Sequence, residues 1–272
     1  MKVIRVNMTT KTIQTEDLSA AYIGLGGRGL IAALINSEVP AHCDPLGYEN
    51  KLIFAPGLLG GTALVNTSRI AVGAKSPLTG TIKESNAGGT FGDAAGRLGI
   101  AALVIEGQDA EGGLSVLHID ENTRPRLLEA SDLRHRKTYE TVERLLDIHG
   151  PHHSVMCIGP AGEYRLPAAS IQSTDTKGRP CRAAGRGGLG AVMGSKGLKA
   201  VVLDQRGNAE ETVADPEAFA AAAAAFAAAV REDPFSGQVL RRFGTAGLVA
   251  PVNAMGGFPS LNATKGVFDG WE

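Results

Sequence analysis

The chain changes character at Asp204-Gln205-Arg206-Gly207. Before that point, short aliphatic and β-branched runs are broken by glycine and polar turn residues. After it, Ala218 to Val230 is alanine-dense, with Phe219, Phe226 and Val230 spaced for one helix face. Runs of strand followed by runs of helix, without regular βαβ winding, predict an α+β chain. The expected division is a sheet-rich domain over residues 1–206 and the start of an α-helical domain over 207–272. Asp215-Pro216-Glu217 reads as a helix start: a capping acid, proline at the first helical position, then an acidic first turn. Pro234 should stop that helix, and Gln238 to Met255 reads as a second one. Leu261 to Glu272 is turn-rich with no core of its own, so the helical domain is expected to be incomplete.

Within the first domain, residues 2–7 and 11–16 read as a hairpin through Met8-Thr9-Thr10. Gly24 to Gly29 is a glycine turn feeding a helix over Leu30 to Ser37. Strands are expected at Leu52 to Ala55, 69–74, 81–85, Ala101 to Glu106, Leu114 to Ile119, Val155 to Ile158, Pro167 to Gln172 and Leu198 to Leu203. A short helix fits 88–98, and an amphipathic one fits Lys137 to His149.

Net charge is −1 and the basic residues are scattered, which argues against a nucleic-acid or polybasic membrane partner. No run reaches ~18 apolar residues, and the N-terminus has no basic-then-apolar signal segment. The three cysteines, Cys43, Cys157 and Cys181, lack CxxC spacing, which disfavours a disulfide framework or a cysteine-only metal site. The cytoplasm is the default compartment. The 36 glycines are about twice the usual ~7% share and show no repeat period. They point to tight turns and close backbone approaches.

The densest of these glycine runs is Cys181 to Lys196, a small-residue loop bearing Arg182 and Arg186 that leads into a helix. Glycines let successive N–H groups point at one anion, a helix start adds its positive dipole end, and arginine forks onto phosphate. The run reads as an anion cradle for a phosphorylated cofactor; the plainer alternative is a glycine-rich helix-packing surface. Asn86 to Gly92 is a second strand-to-glycine-to-helix transition, where Asn86 offers a carbonyl or amide and Gly88 and Gly89 allow close approach. Arg69 opens a strand beside small residues and suits a phosphate or heterocycle, or is a plain surface arginine. Gly24 to Gly29 matches GxGxxG but follows no strand, so a tight turn is the better reading. Gly194-Ser195-Lys196 lacks Walker spacing and order. His152 and His153 are expected in a solvated polar turn, Glu163 at the tip of a turn, and Phe219 and Phe226 on a core face. No Ser/His/Asp arrangement stands out.

Taken in order, several blocks resemble the tungsten-containing aldehyde:ferredoxin oxidoreductases. They are Ile4-Arg5-Val6-Asn7, Gly26-Gly27-Arg28-Gly29-Leu30, Glu49 to Ile53, Lys75-Ser76-Pro77-Leu78-Thr79-Gly80, Asn86 to Gly92, Ile158 to Glu163, Arg182 to Lys196 and Phe243-Gly244-Thr245-Ala246. Together they cover nearly the whole chain. The resemblance implies a base of two β-sheets with inserted helices, holding tungsten (or molybdenum) between two pterin dithiolenes. It implies that Arg69 contacts a pterin and that the main-chain carbonyls of Asn86 and Ala183 bind a Mg²⁺ bridging the pterin phosphates. Gly88, Gly89, Arg182, Gly185 and Arg186 would line those phosphates.

The implied activity is oxidation of a small aldehyde to a carboxylic acid, with electrons passing through a [4Fe–4S] cluster to ferredoxin. The family's CxxCxxxC run, its further cluster cysteine and its proton-transfer Glu and His are not among these residues. The chain is therefore expected to rely on a missing C-terminal part or subunit and to be inactive alone. No catalytic residue is assigned. Exposed cofactor-cleft surface would then favour homo-oligomers or poor solubility. Thr174 to Pro180 reads as a local insertion. Two alternatives stay open: the same cofactor domain of a benzoyl-CoA-reductase-like relative, and a non-catalytic pterin-binding module.

Overall fold

The computed structural model describes residues 1–109, 111–209 and 213–271. Positions 110, 210–212 and 272, parts of the expected inter-domain segment and C-terminal tail among them, lie outside the described residues. Two compact units emerge: Met1–Thr62 with Asn66–Thr212, and Ala63–Val65 with Val213–Glu272.

The first unit contains two six-stranded sheets. One is built from β1 (Lys2–Asn7), β2 (Thr12–Asp17), β3 (Leu52–Pro56), β4 (Ile70–Lys75), β5 (Ile82–Ala87) and β6 (Ile100–Glu106), with helices α1 (Gly27–Glu38) and α2 (Phe91–Arg97) inserted. The other is built from β7 (Ser115–Ile119), β8 (Pro125–Glu129), β9 (His153–Cys157), β10 (Ile171–Ser173), β11 (Arg182–Ala184) and β12 (Leu198–Asp204), with α3 (Thr138–His149), α4 (Pro160–Glu163) and α5 (Leu189–Ser195).

The strand orders are β2-β1-β6-β3-β4-β5 and, read from the other end, β8-β7-β12-β9-β10-β11. They are the same order. Each sheet is an antiparallel hairpin, a helix, a three-strand antiparallel run, a short glycine-rich helix and a central strand parallel to the first. Residues 2–106 and 115–204 thus repeat one supersecondary plan. The sequence shows little of this because the repeats share packing requirements more than residues. One shared requirement is glycine. A Cβ on Gly96 of α2 would lie 1.9 Å from the carbonyl oxygen of Gly60, and one on Gly194 of α5 would lie 1.9 Å from that of Gly162.

Alternation along the strands sorts side chains to two faces. Ile4, Val6, Leu103 and Ile105 of one sheet meet Leu117, Ile119, Val201 and Leu203 of the other in one buried cluster, which Phe91 of α2 and Leu189 and Val192 of α5 complete. On the outer faces, α1 seats Leu30, Ile31, Leu34 and Ile35 on Ile53, Ala55, Ala71 and Val104. Helix α3 seats Val142 and Leu145 on Val116, Val155 and Val202. Both helices have 12 residues, and their buried residues fall at matching positions.

The α+β class and most strands agree with the sequence reading. Three strand assignments differ. Pro125–Glu129, unassigned from sequence, pairs with β7. The expected strand over Pro167 to Gln172 is shortened and shifted to Ile171–Ser173, because Leu166 to Ala169 form a turn closed by the Ala169 amide on the Leu166 carbonyl. Arg182–Ala184, expected as loop, is the edge strand β11.

In the second unit, α6 (Pro216–Glu232) starts as expected: the Asp215 side chain accepts from the Ala218 amide at 2.9 Å, and Pro216 is the first helical residue. Phe226, expected on a core face, is 45% exposed, and Ala223 is the buried residue of this helix. The second helical stretch is broken into short pieces, including Arg241–Phe243 and Val249–Ala254, with the break at Gly244, whose φ is +58°.

Candidate functional site

The two sheets bring their like edges, β5 and β11, into contact. Beside that seam is an open cleft of about 690 Å³ lined by Arg69, Asn86, Gly88, Gly89, Arg182 and Ala183, with Asn66, Ser68, Asp175, Thr176 and Cys181. The volume is that of a small-molecule site. Six of the eight sequence-derived candidates therefore share one cavity, although they lie as far apart in sequence as residues 69 and 183.

The register explains why. Asn86 pairs with Ala71, and Ala71 pairs with Ala55. Ala183 pairs with Gln172, and Gln172 pairs with Cys157. Ala55 and Cys157 stand at equivalent places in the two repeats, so Asn86 and Ala183 do too. The next residues but one, Gly88 and Gly185, are also equivalent, each following the last strand residue. One cleft thus receives a pair of matched main-chain positions from two repeats.

Charge is supplied unequally. Arg69, one residue before β4, donates from Nε to the Asn86 side-chain oxygen and from Nη2 to the Asn86 carbonyl at 3.4 Å. Its counterpart in the second repeat is Ser170, and the second cation of the cleft is Arg182 at the start of β11. Arg69 and Arg182 are both exposed. A Cβ on Gly88 would lie 3.6 Å from Arg69 Nη1, so the guanidinium borders open space above that glycine. Gly89 is constrained differently: its φ is +107° and a Cβ would lie 2.3 Å from the Thr174 carbonyl. Only glycine lets the two segments cross there, with the Thr90 amide donating to that carbonyl at 3.0 Å.

The segment Thr174 to Pro180 is a turn wound on one carboxylate. Asp175 Oδ1 accepts the amides of Lys177 (2.8 Å) and Arg179 (3.0 Å), and Oδ2 accepts the Arg179 fork at 2.6 and 3.0 Å. The Cys181 thiol donates to Oδ2 at 3.3 Å. These bonds, the Arg179 guanidinium first, hold the Asp175 carboxyl well below the usual carboxylate range. Asp175 thus aims the chain into Arg182 with its charge already balanced. Sequence reasoning missed it; the turn composition of Asp175 to Arg179 was its signal.

The run from Cys181 to Lys196 divides in two. Arg182 and Ala183 face the cleft, whereas Gly185 and Arg186 do not line it. The Arg186 amide instead donates to Ser85 Oγ at 3.1 Å, tying the second repeat to β5. From Gly187 onward the glycines serve packing. Ser76 Oγ donates to the Gly187 carbonyl at 2.7 Å, and a Cβ on Gly188 would lie 2.0 Å from the Pro167 carbonyl. The start of α5 is also engaged inside the protein, since the Gly190 amide donates to the Ala169 carbonyl at 3.0 Å. The plainer reading, a glycine-rich packing surface, fits this half.

Two other expectations change. His153 is buried on β9, not solvated in a turn. Glu163 ends α4 with its side chain 5% exposed, 2.5 Å from buried Lys199. In both cases burial by residues distant in sequence overrides local polarity. Among the described residues, no group of three or more His, Cys, Asp or Glu side chains is arranged to hold a metal ion. No described helix is long and apolar enough to cross a membrane.

Residues 3–205 match the family model described as the aldehyde ferredoxin oxidoreductase N-terminal domain. The chain is 38% identical over 271 residues to the tungsten-containing aldehyde ferredoxin oxidoreductase of Pyrococcus abyssi, an alignment covering 98% of this chain and 43% of that protein. It is likewise 38% identical over 268 residues to the protein of the same description from Pyrococcus furiosus. Among solved structures, a chain of the active site complex BamBC of benzoyl coenzyme A reductase with 1,5-dienoyl-CoA superposes with a TM-score of 0.77. That match has 32% identity and covers 85% of this chain and 34% of that one. The chain thus spans under half the length of these relatives.

Proposed function

The chain belongs to the aldehyde ferredoxin oxidoreductase family through its N-terminal domain, and from that premise we propose that its first unit is the seat for a tungsten (or molybdenum) bis-pterin cofactor. The observation that carries the reading is the equivalence of Asn86 and Ala183: matched main-chain positions from two repeats line one cleft. A ligand of two like halves joined by one cation fits such a pair. Carbonyl oxygens are hard donors of the type Mg²⁺ takes, and Arg69 and Arg182 supply charge for phosphate. The cleft volume and the open space above Gly88 meet the need for close approach.

In this reading Arg69 contacts a pterin, and the Asn86 and Ala183 carbonyls hold Mg²⁺. Gly88, Gly89 and Arg182 border the phosphates, with Gly185 and Arg186 next to them in the chain. Arg69, bonded to the Asn86 carbonyl, also fixes the orientation of that peptide. When bound, the metal dithiolene would supply the two-electron redox chemistry for oxidising a small aldehyde to its carboxylic acid. In this reading, transfer through a [4Fe–4S] cluster to ferredoxin would need residues other than those of this chain.

The second reading keeps the seat and changes the substrate to that of a benzoyl-CoA-reductase-like relative; the solved neighbour favours it. In the helical unit, Phe226, Phe243, Met255 and Leu261 are exposed. They suit a surface that another part of the protein or a second copy covers.

Elemental analysis of the chain purified from its native host is the deciding test. Tungsten or molybdenum without iron supports the seat. Either metal with about four irons supports it and adds a cluster-bearing partner. Absence of both tungsten and molybdenum from the chain, and from any partner that copurifies, overturns the reading.

A further inference from the structure

The repeat aligns two clusters of ionisable side chains that sit at the same place under α1 and α3. In the first repeat, Arg5 of β1 binds Glu38, the last residue of α1, at 2.8 Å. Lys51, just before β3, binds Glu38 at 2.7 Å and Glu106, the last residue of β6, at 2.8 Å. Arg5 also binds Glu16 of β2 at 2.6 Å, so two cations and three carboxylates close that joint.

Register and helix length give the counterparts. Val6 pairs with Ile105, and Ile119 pairs with Leu203, so Arg5 corresponds to His118. Glu106 corresponds to Asp204, which pairs with His153, the counterpart of Lys51. Glu38 and His149 each end a 12-residue helix. Three histidines and one aspartate therefore replace the permanent ion pairs.

The second cluster is closely packed. The His118 and His149 rings stack with centroids 4.3 Å apart, and the His118 and His153 Nε2 atoms are 3.4 Å apart. His153 Nε2 is 3.5 Å from Asp204 Oδ2, and its Nδ1 is 3.2 Å from the Gly150 carbonyl. Asp120 and Asp204 favour a proton on His118 and Arg126 opposes one, but burial is the largest influence and the net direction is down. Asp204 already holds Arg206 at 2.6 Å, and Arg206 also reaches Glu121. Arg126 of β8 lies opposite His118, and Asp120 beyond β7 binds the Asn122 and Arg124 amides.

The geometry points to a proton-operated release built into the second repeat alone: as pH falls below neutral, charge accumulating on the stacked His118–His149 pair frees the end of α3 from β7 and β9, while the ion pairs of the first repeat keep α1 in place. Burial and the neighbouring imidazoles support this, holding His149 down to about 4 and lowering His118. The folded state then binds fewer protons than the open one below the ordinary histidine value, so closure weakens as pH falls through that range. The inference does not depend on what the cleft binds.

A matched pair of amides reads it out. The Gly150 amide caps α3 on the Leu146 carbonyl at 2.8 Å, and the Val39 amide caps α1 on the Ile35 carbonyl at 3.0 Å. Hydrogen-exchange protection factors of the full chain would be compared at pH 7.5 and pH 5. Gly150 is expected to lose at least about tenfold more protection than Val39. A parallel change, or none, overturns the proposal. Replacing His118→Arg, His149→Glu and His153→Lys together supplies the counterparts of Arg5, Glu38 and Lys51 and should abolish the difference. Should that variant not fold, His149→Phe keeps a stacked ring without a titrating group and should reduce the difference severalfold; an unchanged difference rules the proposal out.

Discussion

Lys199 Nζ lies 2.5 Å from Glu163 Oε1, with the two side chains 0% and 5% exposed. Lys199 also donates to the Arg136 carbonyl at 2.9 Å, and Glu163 Oε2 accepts the His135 amide at 2.8 Å. The pair therefore ties β12, α4 and the turn that precedes α3 together. Removing one partner leaves a buried charge without compensation, a loss of about 3–5 kcal/mol. Lys199→Met should show that loss in urea unfolding, and Lys199→Met with Glu163→Gln should recover a large part of it. Equal stability of the single and double variants would show that the pair is not coupled.

Two helical glycines should respond against their helix propensity. Alanine is ordinarily favoured over glycine inside a helix by about 1 kcal/mol. At Gly96 and Gly194 a Cβ would stand 1.9 Å from a backbone carbonyl oxygen, where nothing flexible can yield. Gly96→Ala and Gly194→Ala should each destabilise by about 1–3 kcal/mol or more. At Gly185 the nearest atom to a new Cβ is Ala183 Cβ at 3.8 Å, so Gly185→Ala should leave the thermal midpoint nearly unchanged. Thermal unfolding of the three variants checks the contrast.

Arg182 is exposed at the cleft, whereas Arg186 lies outside its lining. Arg182→Ala should weaken retention of a phosphate-bearing cofactor by about 1.5–3 kcal/mol, roughly ten- to a hundredfold, without lowering the thermal midpoint. Arg186→Ala should cost less. Metal content per chain after dialysis measures both, and the reverse ranking would move the phosphate seat toward α5.

Acid should act on the turn that presents Arg182. The Asp175 carboxyl titrates below its ordinary value in the folded chain, chiefly through Arg179. Its stabilisation is complete above the unfolded value near 3.8 and is lost as pH falls through the lower folded value. The stability difference between the parent chain and Asp175→Asn should be largest near neutral pH and shrink below about pH 4. A difference that grows on acidification would contradict the assignment.

What the sequence determined by itself was local. Alternation placed β1, short aliphatic runs placed β3, β4, β6 and β12, and Asp215-Pro216 placed the start of α6, because strand and cap formation depend on neighbours in the chain. The ordered blocks determined the family, because glycines and arginines with fixed spatial duties leave fixed spacings.

The tertiary structure decided everything that depends on sheet order. The polar neighbourhood of His153 hides its burial, which comes from the end of α3 and from β7 and β12. The short strand β11 has no hydrophobic run to announce it, since its edge position needs only three residues of pairing with β10. Above all, the equivalence of Asn86 with Ala183, and of Arg5 and Glu38 with His118 and His149, is a fact of strand register and helix length. Two repeats can share every hydrogen-bonded position while sharing few side chains, because backbone pairing and packing volume fix the plan and the exposed chemistry is free to diverge.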